Sequence, residues 1–244
     1  MPMTRKASRR TDAVRKTLYN ESEAVDHLTT GPSEQAPMPE PPLPDSTRGP
    51  LATSIASLLA QAEIQPENAE LQCALGHGLL LAGDFVRARE RLERALAIRP
   101  GYSDAAINLA DLMLQSGDAN GAAARYEQIL RADPDCFAAW HNLGRTLEQL
   151  GRFAEGAEAF RIAIKLRTDE PGSYEGMARC LLAAGLAVNA VRALRHAVSL
   201  RPNSAHAWDL LGKALDQLGE TEAASECRAR LRKLNEVEEQ PERE

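Results

Sequence analysis

The chain has 244 residues, 43% hydrophobic and 26% charged, which suits one globular unit or two small ones. Aromatics make up 4%, and the Ala- and Leu-rich remainder favours helices over a sandwich or barrel, which would want more Val, Thr and Tyr. The net charge of −6 argues against a general nucleic-acid binder, which carries a basic excess.

The chain opens basic, with Arg5, Lys6, Arg9, Arg10, Arg15 and Lys16 against the lone acid Asp12 in residues 1–20. Residues 10–28 space Val14, Leu18, Val25 and Leu28 as a weak amphipathic helix would, with disorder as the competing reading. The string "RKAS" at Arg5–Ser8 has the look of a basophilic kinase site, a pattern common by chance. Seven of the fourteen prolines then fall within residues 29–50. Proline donates no backbone hydrogen bond and keeps its predecessor out of helix, so this stretch reads as a solvated linker. Residues 1–50 are therefore expected to form a disordered, basic and Pro-rich arm. Its basic end is the one place that suggests contact with an acidic partner or nucleic acid. No apolar run of 18 residues exists and no apolar stretch follows the basic start, so neither a membrane span nor a secretory signal is expected. The expected location is the cytoplasm.

Residues 51–66, "LATSIASLLAQAEIQP", read as a lone capping helix ahead of a periodic region. Glycines recur at Gly83, Gly117, Gly151, Gly185 and Gly219, and prolines at Pro66, Pro100, Pro134 and Pro202 keep the same 34-residue register. Numbering each unit from Ala69, Ser103, Phe137, Pro171 and Ala205 gives units 69–102, 103–136, 137–170, 171–204 and 205–238. Position 7 is then Leu75, Leu109, Leu143, Met177 and Leu211, and position 8 is always small: Gly76, Ala110, Gly144, Ala178, Gly212. Apolar residues at positions 4, 7 and 11 form one helical stripe, and those at 20, 24 and 27 form a second. Each unit is thus two helices. Glycine at position 15 suits the left-handed residue that ends the first, and proline at position 32 ends the second. Position 32 of the third unit is Thr168, with Pro171 three residues later, which predicts a local change of turn. The last helix keeps Ala224, Cys227, Leu231 and Leu234 at helical spacing but carries Arg228 where a large apolar residue would sit. It reads as the C-terminal cap, and residues 239–244 as an acidic tail.

A 34-residue unit headed by W-x2-L-G, with A, F and P further on, resembles the tetratricopeptide repeat. The third unit carries Trp140, Leu143, Gly144, Leu147, Gly156, Phe160 and Ala163 in that pattern, and the fifth offers "WDLLGKAL" from Trp208. Units one and two depart from it at position 4, with Gln72 and Ala106. The resemblance implies an all-α fold: an α-solenoid, wound as a right-handed superhelix of five tetratricopeptide helix–turn–helix repeats.

No P-loop, GxGxxG, GxSxG or HExxH string is present, and the histidines do not stand at i, i+4 from one another. Cys73, Cys136, Cys180 and Cys227 are too far apart for a zinc or disulfide framework and read as single buried thiols. No catalytic residue, metal or cofactor is therefore expected. The resemblance implies a protein-interaction scaffold that holds an extended peptide or helix of a partner in a concave groove faced by positions 2, 5, 6, 9, 12 and 13. An accessory subunit or chaperone of an enzyme or secretion system is the alternative. The carboxylate clamp of cochaperone members needs Lys, Asn and Arg at fixed positions of three consecutive repeats, and no three supply them.

Candidate peptide-binding residues are Asn108, His141, Asn142, Arg145, Arg179 and Lys213. The Asn108–Asn142 pair, one repeat apart, has the donors and acceptor to read a peptide backbone, or equally to bridge neighbouring helices. The row Arg145, Arg179 and Lys213 would meet an acidic segment or terminal carboxylate. Against that, Glu175 stands four residues before Arg179 and Asp209 four before Lys213, where each pair would neutralise itself. Arg145 is left as the cation freest for a ligand.

Overall fold

The computed structural model describes residues 50–238. The expected disordered arm, apart from Pro50, and the acidic tail lie outside the described residues, as do the candidate helix 10–28 and the kinase-like string. Helix α1 (Pro50–Ile64) precedes five helix pairs: α2 (Ala69–Leu81) with α3 (Phe85–Ile98), α4 (Ser103–Gln115) with α5 (Ala119–Ala132), α6 (Phe137–Gln149) with α7 (Phe153–Leu166), α8 (Pro171–Ala183) with α9 (Ala187–Leu200), and α10 (Ala205–Gln217) with α11 (Thr221–Glu238). Among the described residues there is no strand. The architecture is an all-α solenoid in which each first helix starts at position 1 of its unit.

Local chemistry sets the ends of these helices. Each position-15 glycine has φ between 73° and 90°. The following residue donates back to the carbonyl of position 11, as in Asp84 N to Leu79 O and Arg152 N to Leu147 O, both 2.9 Å. That is the Schellman closure of a helix, in which the C′ residue takes a left-handed conformation. A Cβ at any of these five glycines would meet nothing within 4 Å, so glycine is there for its backbone and not for space. Asn68, Asp84, Asp118 and Ser204 cap the helices that follow them by accepting backbone N–H bonds. Thr168 does not alter the geometry: α7 stops two residues before it, as α3 stops two before Pro100. What changes is the cap of the next helix, where Pro171 takes N1 and the Glu170 carboxylate accepts from Gly172 N at 3.2 Å.

Position 4 has a consistent task. Its side chain donates to the carbonyl of the preceding position-32 residue, in the turn that leads into its helix. Trp140 Nε1 reaches Pro134 O at 2.8 Å, Trp208 Nε1 reaches Pro202 O at 2.9 Å, Tyr174 Oη reaches Thr168 O at 3.1 Å and Gln72 Nε2 reaches Pro66 O at 3.2 Å. Ala106 of the second repeat has no side-chain donor to do the same.

Both stripes are buried. Leu75, Leu109, Leu143 and Leu211 of position 7 lie in the core, as do Leu92, Tyr126, Phe160 and Leu194 of position 24. Full burial of such a side chain stabilises by about 1.5–3 kcal/mol. The small residue at position 8 is required where position 24 is bulky: a Cβ on Gly144 would stand 2.9 Å from the Phe160 ring, and one on Gly76 2.7 Å from Leu92. Three cysteines, Cys73, Cys180 and Cys227, are buried and Cys136 is half-buried. Burial pushes the Cys180 thiol up to about 12, so it is an inert packing group. At the ends, α1 buries Ile55 and Ala62 against α2. Helix α11 buries Ala224 and Cys227 and half-buries Leu231 and Leu234, while its Arg228 lies exposed and bonds Asp216 at 2.7 Å.

The first helices of successive repeats touch: α2 with α4, α4 with α6, α6 with α8 and α8 with α10. The second helices of successive repeats scarcely do. A stack closed on one side and open on the other is curved, and the first helices line its inner face.

Candidate functional site

The inner face is laced by side-chain bonds that run from one repeat to the next. Asn108 of α4 sits beside α2: its Oδ1 lies 3.2 Å from His77 Nδ1 and its Nδ2 donates to Cys73 Sγ at 3.4 Å. One repeat later Asn142 of α6 turns the same way, and its Nδ2 donates to Asp111 Oδ1 at 3.2 Å and Oδ2 at 3.4 Å. Of the two readings of the asparagine pair, the geometry shows the bridge between neighbouring helices.

Asp111 is the centre of this lacing. Tyr126 of α5 donates its hydroxyl to Asp111 Oδ1 at 2.6 Å from the core side, while Asn142 donates from α6. Burial raises the Asp111 carboxyl above the usual range, against the opposing pull of the Tyr126 bond and the Arg145 charge. Burial and the Asp111 carboxylate together push the Tyr126 phenol up, so it is a fixed donor.

The cations divide. Arg179 of α8 grips Glu148 of α6 in a two-pronged pair, Nε to Oε1 at 2.6 Å and Nη2 to Oε2 at 2.8 Å. This corrects the expected Glu175–Arg179 pairing. The curvature brings position 12 of one repeat beside position 9 of the next, where a guanidinium fork meets a carboxylate in line. Glu175 is buried and accepts from Ser204 Oγ at 3.1 Å instead. Lys213 does take its expected partner, Asp209, at 2.7 Å. Arg145 is exposed, and its one hydrogen bond among the described residues is a long 3.5 Å contact from Nη1 to Asn142 Oδ1. No carboxylate among the described residues stands within 4.0 Å of it.

His141 is drawn inward. Its Nδ1 lies 2.8 Å from the buried Ser173 Oγ, its ring meets Phe160 edge-on at 5.5 Å, and it tilts against Phe137 at 5.8 Å. Burial first, and the Arg145 charge second, hold its proton affinity below the ordinary histidine value. The Tyr126–Asp111 pair and Ser173 were not among the sequence candidates. A signal was available: Tyr126 is the one hydroxyl at position 24, and Asp111 the one acid at position 9 of the same repeat.

Among the described residues no group of three His, Cys, Asp or Glu is placed to hold a metal ion. No helix among them is long and apolar enough to cross a membrane.

Models described as "Tetratricopeptide repeat" match residues 79–147 and 113–180, and again 205–228. The chain is similar to several solved structures. MamA (41-end) from Desulfovibrio magneticus RS-1 aligns at 15% identity over 70% of this chain and 97% of that one, with a TM-score of 0.65. The pilF protein of Pseudomonas aeruginosa aligns at 20% identity over 68% of this chain and 75% of that one, with a TM-score of 0.63. YrrB, a TPR protein with an unusual peptide-binding site, aligns at 17% identity over 74% of this chain and 93% of that one, with a TM-score of 0.60. At these identities the likeness is one of fold. No curated protein matches the chain in sequence.

Proposed function

Because the chain belongs to the tetratricopeptide repeat family, whose fold generally mediates protein–protein interaction, we propose that it is a non-catalytic scaffold. It holds an extended segment of a protein partner against its inner face, with Arg145 as the anchor. The observation that carries this is the contrast among the inner-face cations. Arg179 and Lys213 are neutralised by Glu148 and Asp209, whereas Arg145 is exposed and without a carboxylate. An arginine presents donors in a rigid fork suited to a carboxylate or to backbone carbonyls. YrrB, a protein of like fold, has a peptide-binding site, which is in keeping with this reading. The chemistry on offer is a mixed-sign face around one open cation, which suits a segment carrying an acidic side chain or a terminal carboxylate.

The test is partner capture by the full chain, compared with Arg145→Ala and Arg145→Glu. Arg145 is exposed, so Arg145→Ala should melt close to the wild type, whereas Arg145→Glu replaces the charge that favours the Asp111 carboxylate with a like one and should melt lower. A partner retained by the wild type should be lost by at least tenfold in Arg145→Ala and more in Arg145→Glu. Equal retention by all three would refute the inner-face anchor. Asn142→Ala is the poorer variant, because Asn142 also braces Asp111.

A further inference from the structure

The second helices follow one charge rule, and repeat four breaks it. Position 22 or 25 is a glutamate in every other repeat: Glu90 and Glu93, Glu127, Glu158 and Glu226. In repeat four both are arginine, Arg192 and Arg195 of α9, and α9 holds no acid at all. In repeat three the same two positions neutralise each other, as Glu158 with Arg161. Arg192 and Arg195 are exposed, and no carboxylate among the described residues stands within 4.0 Å of either. Like charges this close on a helix repel, so the pair does nothing for α9 itself.

Position 18 completes a stripe, because 18, 22 and 25 stand at i, i+4 and i+7 on one helix face. It is Asn120, Ala154 and Glu222 in repeats two, three and five, but valine in repeats one and four. Val86 of α3 is 71% exposed and Val188 of α9 is 58% exposed. Glu90 and Glu93 are exposed as well, with no ion pair among the described residues. Two stripes of the same register thus carry opposite charges behind the same apolar head: Val86, Glu90, Glu93 on α3 and Val188, Arg192, Arg195 on α9. Val188, Arg192 and Arg195 line a groove of about 500 Å³ together with Val191 and Leu218. Residues of the other sign border both stripes, Arg89 on α3 and Glu220 in that groove, while Arg94 is held by Glu67 at 2.9 Å.

We propose that the α9 stripe is a docking surface for a second copy of this chain, which presents its α3 stripe. The two helices lie parallel, with Val86 on Val188, Glu90 on Arg192 and Glu93 on Arg195. An antiparallel arrangement would set each valine against a charge, so the order along the helix fixes the direction. Charge complementarity carries the choice of partner: the one basic stripe among the second helices meets an acidic stripe that shares its exposed valine. The two surfaces are unlike and lie three repeats apart, so the contact can repeat from copy to copy. Both stripes are on second helices and Arg145 is on a first helix, so this contact stands or falls separately from the inner-face anchor.

The experiment is sedimentation velocity of the full chain over a range of concentrations, with two charge-reversed variants: Glu90→Arg with Glu93→Arg, and Arg192→Glu with Arg195→Glu. The wild-type mass should rise with concentration, and added salt should suppress the rise, as for exposed charges. Each variant alone opposes like stripes and should associate at least tenfold more weakly, while its melting temperature stays near the wild type. An equal mixture of the two restores opposite charges at both contacts, so it should associate as the wild type does. Rescue by mixing excludes misfolding as the cause of the loss. Arg145→Ala should leave the association unchanged. A wild type that keeps the mass of one chain throughout, variants that associate as it does, or a mixture that fails to recover would each overturn the assignment. Arg192 and Arg195 Nε–Hε resonances that move on Glu21→Ala with Glu23→Ala in a single-chain wild type would put the chain's own arm on α9 and overturn the second copy.

Discussion

Repeats three and five begin with the same tryptophan-bearing first helix, yet one register position of their second helices has opposite fates. At position 24 Phe160 of α7 is fully buried. A Cβ on Gly144 of its own repeat would come within 2.9 Å of its ring, and one on Gly176 of the next within 2.3 Å. Arg228 of α11 holds the same position but reaches out to Asp216 across a surface. The difference is the presence of a following repeat. Phe160 is a wedge between two repeats, whereas α11 has no successor among the described residues and its residues are those of a solvent-facing end.

This contrast can be broken at several depths. Phe160→Ala should have the largest effect, lowering unfolding stability in urea by about 3–5 kcal/mol. A loss below about 1 kcal/mol would mean the ring is not a wedge. Tyr126→Phe keeps the ring at position 24 of repeat two and deletes the hydroxyl that serves Asp111. It should cost about 1.5–3 kcal/mol, as for a bond to a charged group, and the same measurement would expose a merely decorative hydroxyl by a near-zero change. His141, packed on Phe160, gives a smaller effect that depends on pH. Its proton affinity is depressed in the fold, so the unfolded chain takes up the proton first as pH falls through about 6.5. Its contribution is complete above that pH and is lost below it, so wild-type melting temperatures should fall more between pH 7.5 and 5 than those of His141→Gln. Parallel falls would exclude the ring as the cause. Arg228→Ala should matter least, under about 1 kcal/mol, because an exposed pair is screened. A loss matching that of Phe160→Ala would show that α11 is covered in solution.

The scaffold was legible because its signals are local. Gly83, Gly117, Gly151, Gly185 and Gly219 each mark the residue where the chain must take a positive φ, and the position-7 and position-24 residues mark buried stripes that need only 3.6-residue spacing. Even Thr168, which looked like an altered turn, left the helix ends in register. The inner face was legible only in part. Its residues were named, but their partners were not, since i, i+4 spacing nominated Glu175 for Arg179 while the curvature delivered Glu148. Which pairing wins depends on how far each repeat is rotated on the last, and no single helix encodes that angle. The common acceptor of the position-4 side chains was likewise invisible along the chain. Ala106 reads as a weak match to a pattern until the other position-4 side chains are seen to share one acceptor.

The inner-face bonds also give the solenoid a mechanical character. His77–Asn108, Asp111–Asn142 and Glu148–Arg179 are ties on the short side of a bent body, each crossing one repeat boundary. Straightening the body lengthens them first, and protein hydrogen bonds ordinarily span no more than about 3.2 Å. The second helices have little to resist the reverse motion. At the boundary between α8 and α10 the tie is Ser204 to Glu175, at the mouth of the helix rather than along it. Pulled along its axis, the coil would therefore yield at its last turn while the middle boundaries, tied mid-helix, held their pitch.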